Sequence, residues 1–180
     1  MRPLLVLGLA LTAACGDPFA LPRASFSNVV DTVSLYALSG TPVATPSGYH
    51  LQFREAVRID QGGTFDFAID IDTAGHPVLL PTGALRLGRN SGARLDSLPF
   101  DSIRIAPDRG FQLDSAVAMD VGNVAIVHSR AVTCSFGIPA VYYAKLQILA
   151  GDTAARRIDF QILVDTNCGY RGLEPGLPSR

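Results

Sequence analysis

The feature that most limits what this chain can become is an alternation of apolar and polar residues at a period of two. In "TFDFAIDID", residues 64–72, Phe65, Phe67, Ile69 and Ile71 oppose Asp66, Ala68, Asp70 and Asp72. "RIDFQILVD", residues 157–165, repeats the pattern with Ile158, Phe160, Ile162 and Val164. An extended chain sends successive side chains to opposite faces, so each segment reads as a strand with one buried side. A helix would scatter the same residues around its circumference. "DTVSLYAL" adds Val33, Leu35 and Ala37, and "LQFREAVRI" adds Leu51, Phe53, Val57 and Ile59 against Gln52, Arg54 and Arg58. Weaker strands are expected at "PVLLP", "ALRLG", "FDSIRIA", "FQLDSAVAMDV", "NVAIVHS" and "VYYAKLQIL". Turn signals such as "SGTP", "TPSG", "QGG", "TAGHP", "NSG", "PDRG" and "AGD" separate them. Glycine supplies positive φ there and proline presets φ for the turn. Many short strands between such turns predict an all-β fold, an antiparallel β-sandwich, with a β-barrel as the alternative closure.

Charged residues make up 17% of the chain and apolar residues 48%, which suits a packed domain rather than a disordered one. The net charge of −1 offers no basic field for nucleic acid. Arginine outnumbers lysine 14 to 1, a bias that carries no functional weight here.

The amino terminus has its own grammar. Arg2 is the only charge before Asp17, and "PLLVLGLALTAA" between them is apolar and then small. That is the layout of a secretory signal. Its apolar run of about 11 residues falls short of the roughly 20 needed to span a bilayer. "LTAAC" resembles the lipobox of bacterial lipoproteins, although Thr12 stands where leucine is commoner. The resemblance implies cleavage before Cys15, diacylation of its thiol (palmitate among the chains) and acylation of the new amino terminus. An ordinary signal peptide with a chance cysteine is the alternative. By the same resemblance, Gly16 after the cysteine leans towards the outer rather than the inner membrane. Residues 1–14 are then a lipoprotein signal peptide, 15–25 the acylated cysteine and a short tether, and 26–180 one sandwich domain with a flexible tail.

With Cys15 acylated, Cys134 and Cys168 remain, and an even pair in an exported protein reads as a disulfide. Free thiols or half a metal site are the rivals, but no CxxC motif or Cys/His cluster supports a metal.

Other chemistry is sparse. Asp66, Asp70 and Asp72 share a strand face, and "DIDTAG" runs into a turn at Gly75. This is half of a calcium loop: Ala74 and Pro81 stand where the fifth and twelfth ligands belong. A solvated strand face is the simpler reading. His50, His76 and His128 lack the close pairing of zinc ligands, and His128 is expected to be partly buried beside Val124 and Ile126. No G-x-S-x-G elbow marks a nucleophile. Arg86, Arg89 and Arg94 in "RLGRNSGAR" read as a polar loop, with Asp96 and Asp101 close by. Tyr142 and Tyr143 should point to opposite faces, one in the core and one on the surface. The segment "VSLYALSGTPVATPSGYHLQF" resembles small β-sandwich domains related to transthyretin, which implies a sandwich and no particular function.

The expectation is therefore an envelope lipoprotein, membrane-bound through Cys15, acting as a binding or structural module towards an unidentified protein or small ligand. The alternatives are a calcium- or small-ligand-binding domain, with no other cofactor implied, and an envelope hydrolase.

Overall fold

The structure, a computed structural model, describes residues 22–134, 137 and 139–179. Cys15 and the signal-like segment lie outside the described residues.

Among the described residues, twelve strands build two five-stranded sheets and a small hairpin. They are β1 (Val30–Tyr36), β2 (Gly48–His50), β3 (Glu55–Val57), β4 (Phe67–Ile71), β5 (Pro77–Pro81), β6 (Gly92–Asp96), β7 (Val117–Ala118), β8 (Val124–His128), β9 (Val132–Thr133), β10 (Pro139–Ala140), β11 (Tyr143–Asp152) and β12 (Arg157–Asp165). One sheet runs β1-β12-β11-β8-β6, the other β3-β2-β4-β5-β7, and β9 pairs with β10. All pairings are antiparallel. The two sheets pack face to face without closing into a barrel, so the architecture is an all-β sandwich.

Alternation explains the core. Ile158, Phe160, Ile162 and Val164 of β12 meet Tyr49, Phe67, Ile69 and Leu79 from the opposite sheet. The Tyr49 and Phe67 rings stack at 5.5 Å, and Phe160 stands 6.2 Å from each. These fully buried aromatics supply much of the apolar area that drives the sheets together.

Several expected strands fold differently, each for a local reason. Residues 51–59 are not one strand. Arg54 N donates to Leu51 O at 3.2 Å and Arg54 adopts φ 54°, reversing the chain so that β3 pairs back onto β2. The reversal breaks the alternation: Leu51 is buried while Phe53 is 64% exposed. "ALRLG" is a run of turns, with Ala84 N, Leu85 N and Arg86 N donating to Pro81 O, Thr82 O and Gly83 O. A Cβ on Gly83 would lie 2.2 Å from Leu113 O, so only glycine admits the 113–114 backbone there. "FDSIRIA" forms a 3₁₀ turn over Phe100–Ser102 followed by coil, and "FQLDSAVAMDV" contributes only β7. Conversely, part of the arginine loop is edge strand β6.

The first sheet is covered on its other side as well. Val124 and Ile126 of β8 and Leu163 of β12 pack under Phe100, Ile103, Ala106 and Leu173, with Tyr143 against them. Tyr142 lies in the main core, so neither tyrosine is a free surface ring. The carboxy-terminal segment does not simply fray. Leu173 is fully buried, Gly172 bridges to Ile105, and Gly176 bridges to Asn28.

Candidate functional site

The residues nearest the amino-terminal segment frame a groove of about 440 Å³, whose lining includes Phe26, Ser27, Phe53, Arg54, Tyr142 and Thr166. Its position is set by Asn167, which is buried in the loop after β12. The Asn167 Oδ1 atom accepts from Ser25 N at 2.8 Å and Phe26 N at 3.0 Å, while Nδ2 donates to Phe26 O at 2.8 Å. The Tyr170 hydroxyl donates to Pro22 O at 3.0 Å. Part of the expected tether is thus docked on the domain from Pro22 onward. Across the groove, the left-handed turn at Arg54 turns Phe53 outward, where its ring packs 4.6 Å from His50. Arg54 Nη2 closes the floor by donating to Ser27 O, Val164 O and Thr166 Oγ1.

The loop carrying Asn167 is also where Cys168 sits. Cys134 and Cys168 have their Cα atoms 5.9 Å apart and their sulfurs at bonding distance. A link across 34 residues removes unfolded-chain entropy worth about 3–4 kcal/mol in the chain-entropy model. It staples the loop that holds the amino-terminal segment.

The three aspartates of the calcium candidate are each engaged separately. Asp66 is 1% exposed, not solvated: its carboxylate accepts from Leu51 N at 2.8 Å, Arg130 N at 3.1 Å and Arg130 Nε at 3.2 Å. This corrects the solvated-face expectation at the start of β4, which lies inside its sheet and is overlaid by the Arg130 loop. Asp70 accepts from Ser39 Oγ at 2.8 Å and Arg156 Nη2 at 3.3 Å. Asp72 accepts from His76 N at 2.9 Å and Ala74 N at 2.8 Å, closing the β4–β5 turn. Those backbone donors, His76 N–H first, hold the Asp72 carboxyl below its usual range. Among the described residues, no three Asp, Glu, His or Cys side chains cluster as metal ligands would.

The histidines are also dispersed. His50 Nδ1 accepts from Phe53 N at 3.4 Å, and burial lowers its pKa. His128 is half-buried as expected: its ring meets Phe111 edge-on at 4.7 Å, Nδ1 lies 2.9 Å from Ser129 O, and burial again lowers its pKa. His76 pairs with Asp120 at 2.7 Å on the open surface. Among the described residues, no serine hydroxyl hydrogen-bonds to a histidine ring. A cleft of about 510 Å³ beside β6 has Arg94, Leu95 and Val117 in its lining and no histidine. In the arginine segment, Arg89 meets Asp114 at 3.4 Å and Arg94 meets Asp96 at 4.0 Å.

Sequence reasoning missed two features. The groove was hidden because one of its phenylalanines, Phe26, stands at the first residue of the expected domain with no strand pattern around it, and the other, Phe53, lies in a segment read as inward-facing strand. The other is Lys145, the chain's single lysine, 2% exposed under the second cover. Its Nζ donates to Phe100 O at 2.6 Å and Ile103 O at 3.0 Å, and lies 4.4 Å from the Phe100 ring centre. Burial lowers its pKa, with Asp101 and Glu174 opposing. Its place on an outward strand position gave no sign of that cover.

No family model matches this chain, and neither a curated protein nor a solved structure does.

Proposed function

We propose that this protein is a bacterial envelope lipoprotein, held to a membrane through acylated Cys15, whose sandwich serves as a binding or structural module. The observation that carries the reading is the order of residues 2–15: one basic residue, a short apolar run, small residues and then cysteine. Two or more acyl chains give stable anchoring where one gives only marginal binding. The Cys134–Cys168 pair at disulfide distance agrees with export into an oxidising compartment. Gly16 favours the outer membrane over the inner one. The test is metabolic labelling with an alkynyl palmitate in a bacterial host. The wild-type chain should take up label, begin at Cys15 and fractionate with membranes. Cys15→Ser should lose the label and accumulate unprocessed or soluble. Undiminished labelling of the serine variant, or a mature amino terminus elsewhere, overturns the reading.

A further inference from the structure

We infer that the groove between Phe26 and Phe53 is the face of the domain that rests on the lipid surface, with both rings seated in the headgroup–acyl boundary. The inference rests on the anchoring proposed above and adds an orientation to it.

Reach comes first. Seven residue-to-residue steps lead from Cys15 to Pro22, a span of at most about 25 Å when fully extended. Pro22, Ser25 and Phe26 are fastened to the loop after β12 by Tyr170 and Asn167. A domain of this size has a radius of gyration near 15 Å, hence a width of about 40 Å. The anchor is therefore shorter than the domain is wide, and only surface near Pro22 can meet the bilayer. Phe26 is four residues from that point.

Composition comes second. Phe26 and Phe53 are 60% and 64% exposed, and they are the two phenylalanines left exposed among the described residues. Both stand on the same groove. Two phenylalanines from segments 27 residues apart in sequence line one groove because Arg54 ties one segment to the other through Ser27 O. Arg54 is also the sole charged residue among those that line the groove, and a cation suits anionic headgroups. Apolar rings beside a basic residue are the composition of surfaces that sit in the interface.

The chain contains no tryptophan, so a single substitution reports one position. Phe53→Trp, Phe26→Trp and Val121→Trp serve, made in the full-length acylated protein. Val121 is 61% exposed and does not line the groove. Its neighbour Gly122 bonds to Ile148 O, six strand positions and about 20 Å along the chain from Tyr142 at the groove. Each variant is reconstituted in phosphatidylethanolamine–phosphatidylglycerol vesicles whose acyl chains are brominated near the headgroup. Flotation with the vesicles reads the anchor, and fluorescence quenching reads the face. The expected result is flotation of all three, with Phe53→Trp and Phe26→Trp quenched about twofold or more and Val121→Trp unaffected, since the bromines lie at the depth interfacial rings reach. If all three float and quench alike, or Val121→Trp quenches most, the orientation is wrong and the anchor stands. If none floats, the anchor and the orientation fall together.

Discussion

The two sides of the β6–β8–β11–β12–β1 sheet are built from the same strands and solve burial differently. On the inner side every β12 position facing the second sheet is apolar from Ile158 to Val164, and all four are essentially inaccessible. On the outer side the residues change character along the strand. Gln161 and Gln147 pair across β12 and β11 at 2.7 Å on part-open surface. One pleat further, Leu163, Lys145 and Ile126 form a row across three strands that is completely covered. The cover is not a sheet but the Phe100–Ser102 turn and the 171–177 segment. They are joined by Leu173 N to Arg104 O at 2.7 Å, Ala106 N to Arg171 O at 2.8 Å, and the Arg171 guanidinium on Ala106 O. A sheet face buried by another sheet needs an unbroken apolar row, whereas one buried by coil can hold a cation, because coil offers free carbonyls to it.

The two sides of the sheet should respond differently to substitution. Phe160→Ala should have the largest effect, a loss of about 3–5 kcal/mol in urea unfolding with one cooperative transition, because a large side chain is deleted between two rigid layers. Replacing both Cys134 and Cys168 with serine should cost about 3–4 kcal/mol, the unfolded-state entropy restored by opening the loop. Leu173→Ala should cost about 2 kcal/mol, at the low end for such a change, since irregular cover collapses more readily than a sheet. Hydrogen exchange should then show Ala106 and Leu173 amides losing protection while the β11–β12 ladder keeps it. Equal loss in the ladder would mean that the outer cover is as integral as the inner core.

The smallest effect is expected at Lys145. Lys145→Met removes a desolvated amine but leaves Phe100 O and Ile103 O unpaired, so the two costs nearly offset and stability at pH 7 should change by about 1 kcal/mol or less. Its pH dependence is sharper. The folded-state pKa lies below the unfolded one, so the unfolded chain binds the extra proton between the two values. Stability should therefore rise with pH from the lowered value up to about 10.4, and the wild-type rise should vanish in Lys145→Met. Burial raises the Tyr49 pKa, which makes stability fall above about pH 10, so the comparison belongs below about pH 10. An identical slope in both proteins would show that Lys145 is not the group responsible.

Much of the strand framework was legible, and the failures share one cause. β4, β5, β8, β11 and β12 stand where alternation or apolar runs placed them. Phe53 was misplaced because the chain reverses at a single left-handed residue, Arg54, and arginine carries no mark of positive φ as glycine does. Asp66 looked like its neighbours Asp70 and Asp72, yet only Asp66 is covered by the Arg130 loop, 64 residues away in sequence. The groove was illegible for the same reason: it is made by contacts between residues 25–27, 52–54, 142 and 166.

By itself the sequence determined that the chain forms strands and which side of the strongest of them is apolar, and it offered Cys134 and Cys168 as a candidate pair. These are local properties, set by the period of the extended chain and by residue type. The tertiary structure alone decided which polar faces are covered, where the lone lysine is buried and which two phenylalanines share a groove. Coverage depends on segments distant in sequence, and no local pattern encodes what will lie on top of it.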